Sequence, residues 1–136
     1  MKIQSVIYIE PTAKARARTK TVIKGKQKFT SSYTPESTTH AESMIRDHLV
    51  KLQQMFPPEV PLRLEIIFYR SRPKSLAKKH TLPFQRPDLD NYEKLFQDAA
   101  EKYIYPSDAQ ITTKMSKKRF GNPPRIEFLI EEDGQK

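Results

Sequence analysis

Arg86-Pro87-Asp88-Leu89-Asp90-Asn91-Tyr92-Glu93-Lys94-Leu95-Phe96-Gln97-Asp98-Ala99-Ala100 is the stretch on which the reading of this chain turns. Tyr92, Leu95, Phe96, Ala99, Ala100 and Tyr103 recur at offsets of three and four, so one face of a helix is apolar and must be buried, with Pro106 as its limit. At the mouth of that helix two carboxylates, Asp88 and Asp90, stand one residue apart, in a chain with 25 Lys and Arg against 16 Asp and Glu. Carboxylates are natural ligands for a hard divalent cation, and a net charge of +9 attracts a polyanion. Acids set among bases point to metal-dependent chemistry on a phosphate backbone.

Working outward, Leu62, Leu64, Ile66 and Phe68 alternate with Arg63, Glu65, Ile67 and Tyr69, the period of a strand with one buried face. Between this strand and the helix, Ser71 to Arg86 is rich in Lys, Pro and Ser and reads as a mobile surface loop suited to contacting DNA. Beyond the helix, Gln110 to Ser116 and Arg125 to Ile130 predict a final antiparallel pair of strands. The opening run, Ile3 to Ile9, is apolar on both parities and predicts a strand inside a sheet. A basic stretch from Lys14 to Lys28 has Gly25 where a hairpin turn would need it, and Ser31 to Glu36 reads as a loop into a second helix. That helix, with Thr34 as N-cap and Pro35 in its first turn, is expected to reach Phe56, with Met44 and Met55 in its core stripe.

A chain of 136 residues fits one domain, 1–136, long enough to bury a real core. The expected class is α+β: a single small domain with a mixed or antiparallel sheet packed by two main helices. The absence of Cys removes disulfides, thiolate metal sites and thiol nucleophiles, which fits a reducing, cytoplasmic setting. No segment approaches a membrane-spanning length, so a membrane partner is not expected.

Each singled-out residue also has a plain structural reading. Asp90 with Glu93 three residues later fits a capping box, although a cap uses one carboxylate and leaves Asp88 beside it unpaired. Lys94 is placed for an ordinary i,i+4 pair with Asp90 or to face a phosphate. Asp108 alone reads as a turn residue, and Asp98 as a solvated acid or an extra ligand. Lys14, Arg16, Arg18, Lys20, Lys74, Lys78, Lys79, Arg86, Lys117, Lys118 and Arg119 are candidate phosphate contacts, each also readable as a solvated charge.

Arg86-Pro87-Asp88-Leu89-Asp90-Asn91-Tyr92-Glu93-Lys94 and Ser107-Asp108-Ala109-Gln110-Ile111 resemble the motifs of the RusA family of Holliday junction resolvases: Asp-x-Asp-Asn-x-x-Lys opening a helix, then a short Asp-Ala/Ser-Gln-Ile/Val segment. The basic run Pro11-x-x-Lys14-x-Arg16-x-Arg18, with Tyr33-Thr34-Pro35 and Glu42, is similar to phage-type members. Ala13 and Ala17 stand where relatives often have Pro, and Ser107 where many have a second Asp. The resemblance implies a homodimeric, Mg²⁺-dependent endodeoxyribonuclease, with Mn²⁺ as a substitute and no organic cofactor. It would resolve four-way DNA junctions by paired symmetric nicks in recombination and repair. Asp88, Asp90 and Asp108 would be the metal ligands, and Lys94 would join them as a catalytic residue. Two alternatives stay open: a non-catalytic, basic nucleic-acid-binding protein, and a metal-dependent nuclease acting on flaps or forks.

Overall fold

The computed structural model describes residues 1–14, 18–25, 27–33 and 36–134, and for 18–24 and 27–33 it describes the backbone alone. In chain order the elements are β1 (Lys2–Ile7), β2 (Arg18–Lys24), β3 (Gln27–Tyr33), α1 (Glu36–Lys51), β4 (Leu62–Arg70), α2 (Leu89–Ala100), a 3₁₀ turn (Asp108–Gln110), β5 (Ile111–Phe120) and β6 (Arg125–Glu132). The architecture is α+β. β4 is the strand on which the sheet is built: Leu62, Leu64, Ile66 and Phe68 are buried, while Arg63, Glu65, Ile67 and Tyr69 face the other side. β6 runs antiparallel along one flank of β4 and β5 runs parallel along the other, with β1 outside β6, giving the order β1-β6-β4-β5. A parallel pair needs a crossover, and α2 supplies it. Both helices cover one face of this mixed sheet. Ile45 and Leu49 of α1 and Leu95, Phe96 and Ala99 of α2 meet Ile3 and Ile7 of β1 and Ile126, Phe128 and Ile130 of β6 in a continuous apolar core. Each large side chain buried there contributes roughly 1.5–3 kcal/mol.

Several sequence expectations change. β5 and β6 are consecutive but not paired: β4 lies between them, because alternation specifies the face a strand buries and not its neighbour. β1 is an edge strand, with Tyr8 just beyond it 69% exposed. Ser31 to Tyr33 continue β3, since the hairpin turned at Gly25 (φ 62°) keeps its register as far as Arg18 opposite Tyr33. Thr34 and Pro35 lie outside the described residues. α1 stops at Lys51, where Leu52 and Gln53 tighten onto the carbonyls of Leu49 and Val50 and Gln53 turns to φ 51°. Met55 falls past the helix end and Met44 lies outside the buried stripe of Thr38, Ala41, Ile45 and Leu49, so both are exposed. α2 ends at Ala100, before Tyr103: Lys102 turns to φ 72° and its N–H meets the Tyr105 carbonyl at 2.7 Å. This folds Ile104 and Tyr105 into the core in place of Tyr103. Among the described residues no helix is long and apolar enough to cross a membrane.

Candidate active site

Asp88 is the N-cap of α2, with extended backbone (φ −69°, ψ 149°), yet its side chain makes no capping hydrogen bond. Asp90 lies in the first turn, where the helix dipole favours a negative charge. The Asp90–Glu93 capping box does not form, because Glu93 reaches across to the sheet. One carboxylate oxygen pairs with Lys114 Nζ at 2.8 Å, and the other accepts from the Ser116 hydroxyl at 2.8 Å. Lys114 also donates to Gln97 Oε1 at 3.1 Å. α2 and β5 are thus stitched together by side chains whose spacing in sequence gives no hint of the contact. Among the described residues, the Asp90 carboxylate and the Lys94 ammonium have no hydrogen-bond or ion-pair partner.

A capping box forms instead at the 3₁₀ turn. Ser107 Oγ accepts from the Ala109 N–H at 3.2 Å, and Gln110 Oε1 accepts from the Ser107 N–H at 3.1 Å. The Gln110 amide group is itself anchored on the carbonyls of Pro57 and Val60. This fixes Asp108, whose N–H donates to Glu101 Oε2 at 2.8 Å and whose carboxylate accepts from the buried Tyr105 hydroxyl at 2.5 Å. Burial raises the Asp108 carboxyl above its ordinary range, and the charges of Glu101 and Asp98 add to the rise against the pull of the Tyr105 hydrogen bond. Tyr105 is driven up by burial and then by Asp108, so it remains a proton donor.

These elements bound a shallow cleft of about 210 Å³ walled by Asp90, Glu93, Lys94, Gln97, Asp98, Asp108 and Lys114. Asp90 and Lys94, one turn apart on α2, share it with Asp108 from the 3₁₀ turn beyond that helix. Asp88 is exposed and is not among its walls. A larger hollow, about 450 Å³, lies at the open sheet face around Gln4, Val6, Glu65, Glu127 and Leu129 and contains none of these residues. The cleft's donor chemistry suits a hard cation: its carboxylate oxygens include an unpartnered one at Asp90 and an ionised form at Asp108 that a cation would relieve. Among the described residues no three acidic or histidine side chains gather closely enough to enclose an ion. Mg²⁺ needs no such cage, since it is commonly held by one or two carboxylates plus waters and phosphate oxygens.

The basic residues divide. Lys14 Nζ is 2.5 Å from Glu42 and 3.2 Å from Asp98, and its N–H donates to the Asn91 carbonyl, so it ties the N-terminal segment to both helices. Lys118 donates to the carbonyls of Gln85 and Pro87, and Arg119 to the carbonyl of Lys118. Lys117 and Arg119 alternate with Lys118 and stand in register with Ile67 and Tyr69 on the face away from the helices. Lys74, Lys78, Lys79 and Arg86 are exposed on the segment between β4 and α2. Arg16 lies outside the described residues, as do the side chains of Arg18 and Lys20. Sequence reasoning missed Lys114, Gln97, Glu101 and Tyr105 as parts of the site. The parity of Lys114 with Ser116 and Lys118 on β5 was the one available signal.

The fold and the site define a small, basic α+β domain carrying an acid-and-lysine cleft where its crossover helix meets an edge strand. Residues 9–131 match the model of the family described as endodeoxyribonuclease RusA, and the chain belongs to that family. It is also similar to a Bacillus subtilis (strain 168) protein described as uncharacterized protein YqaN, with 34% identity over 82 residues that cover 53% of this chain and 58% of that protein.

Proposed function

We propose that this domain is a metal-dependent endodeoxyribonuclease that resolves four-way DNA junctions by paired symmetric nicks in recombination and repair, acting as a homodimer in the cytoplasm. The observation that carries the reading is the convergence of Asp90, Lys94 and Asp108 on one cleft, with neither Asp90 nor Lys94 committed to a partner among the described residues. Membership of the RusA family supports it.

Asp90 and Asp108 would hold Mg²⁺ or Mn²⁺, with Asp88 contributing from the start of the helix; when bound, the ion activates a water and offsets charge developing on the scissile phosphate. Lys94, one turn after Asp90, supplies a fixed positive charge toward the same phosphate. Tyr105 and Glu101 hold Asp108 in orientation through its carboxylate and its N–H. Lys74, Lys78 and Lys79, exposed on the segment before α2, would meet backbone phosphates. Two opposed cuts need two sites related by a two-fold axis, which a homodimer provides.

The test is incubation of the full chain with labelled four-way junction, duplex and flap DNA, in Mg²⁺ or EDTA, beside Asp90→Asn. Symmetric junction nicking that requires both metal and Asp90 is expected. Preferred cutting of flaps would redirect the substrate, and binding without cleavage in either Mg²⁺ or Mn²⁺ would overturn the enzymatic reading.

A further inference from the structure

The carbonyls of Gln85, Arg86 and Pro87, three in succession immediately before Asp88, are all taken by cationic side chains rising from the sheet. Lys118 Nζ donates to Gln85 O at 2.9 Å and to Pro87 O at 3.0 Å, while Arg70 donates to Arg86 O at 3.0 Å. Arg70 closes β4 and Lys118 stands opposite Phe68 on β5, so both lie on the sheet face under the start of α2, where Tyr92 stacks on Phe68 with ring centroids 5.3 Å apart.

We propose that Lys118 and Arg70 are positioning residues of the nuclease site: they hold the chain segment that delivers Asp88 and Asp90 to the metal. The inference rests on the function proposed above.

The usual means of fixing a helix start is missing here, because Asp88 makes no side-chain capping bond. Residues 71–88 contain no helix or strand that could place the start of α2 instead. Among the described residues, the polar contacts that tie Gln85 to Pro87 to the sheet are those of Lys118 and Arg70. Two cations side by side under one loop would repel. Burial lowers the Lys118 ammonium below its ordinary pKa and Arg70 lowers it further, while Asp88 opposes both. The dipoles of the three carbonyls offset that repulsion, an arrangement suited to holding a loop. It leaves Lys118 one of its three donors for a phosphate.

Lys118→Met and Arg70→Met in the full chain test this, with Lys118→Arg as the conservative variant. Amide exchange across residues 84–92 should quicken about five-fold, the equivalent of one lost hydrogen bond. Mn²⁺ affinity, measured by calorimetry without DNA, should weaken about ten-fold, as for other groups that orient metal ligands. Lys118→Arg should restore most of both losses. The slope of log affinity against log salt for junction binding in EDTA should move by much less than the ~0.9 that a lost phosphate contact takes. Unchanged exchange and Mn²⁺ affinity together with a full slope loss would overturn the proposal and make Lys118 a phosphate contact. If Lys118→Met does not fold, Arg70→Met carries the same measurements. A wild-type chain that takes up no Mn²⁺ even with junction DNA bound would refute the nuclease reading itself, and the exchange rates would still decide whether the two cations hold the segment.

Discussion

Replacing Lys14 with methionine separates a structural cation from a DNA-binding one. In the folded chain its ammonium bridges Glu42 and Asp98, at 2.5 Å and 3.2 Å, with the three side chains 23%, 16% and 32% exposed. Exposed pairs contribute about 0.2–1 kcal/mol, whereas removing one partner of a buried pair costs about 3–5 kcal/mol. This site lies between those limits and leaves two carboxylates facing each other, so Lys14→Met should cost about 2 kcal/mol. For a domain of this size that is a fall in Tm of about 6–10 °C, read by thermal and urea denaturation at pH 7. The pH dependence follows from the charge balance. Burial alone would lower the Lys14 pKa, but its hydrogen bonds to Glu42 and Asp98 outweigh burial and place it above 10.5. Its stabilisation is therefore whole below the unfolded value and lost as pH rises through the higher folded one, so the gap between wild type and variant should close only in strong alkali. Because the ammonium is already engaged, the salt dependence of junction binding should barely change. A Tm within about 2 °C of wild type, together with a salt slope reduced by ~0.9, would refute this reasoning and return Lys14 to the DNA surface.

Asp108→Asn keeps an acceptor for Tyr105 but removes a charge that burial and its acidic neighbours disfavour. Wild-type stability should fall as pH rises from the ordinary carboxylate range through the raised Asp108 pKa, so the variant should melt higher at neutral pH while losing junction cleavage; a lower Tm would contradict the assignment of repulsion. Glu93→Ala deletes the partner of both Lys114 and Ser116 and should cost about 2 kcal/mol, with Glu93→Gln milder because it keeps the Ser116 acceptor; equal losses in urea titrations would deny the hydroxyl any part. Gly121→Ala would set a Cβ 2.6 Å from Tyr69 Cβ and 2.8 Å from Tyr69 Cδ1, forcing the β5–β6 connection to shift at about 1–3 kcal/mol; a wild-type Tm would show that the turn yields freely.

The sequence by itself determined the local elements whose periodicity is strong. The offsets of Tyr92, Leu95, Phe96 and Ala99 could only be buried as a helix, and the alternation from Leu62 to Phe68 only as a strand, because side-chain direction follows backbone period. It also placed two carboxylates at a helix start, and its motifs carried the family. Tertiary structure alone decided what the charged residues do. β5 and β6 look like hairpin partners until the sheet order separates them with β4, and the parallel crossover this demands is what returns Asp108 to the end of α2. That Lys14 pairs with Glu42 and Asp98, and Lys118 with two carbonyls of the loop before α2, cannot be read from the sequence, because a lysine with a partner and one in water are written with the same letter. Glu93 reads as a cap for the same reason, until β5 offers it Lys114 and Ser116. Long-range polar contacts leave no period in the sequence, since an ion pair needs only one suitable residue at each end, and packing of the apolar core decides which two ends meet.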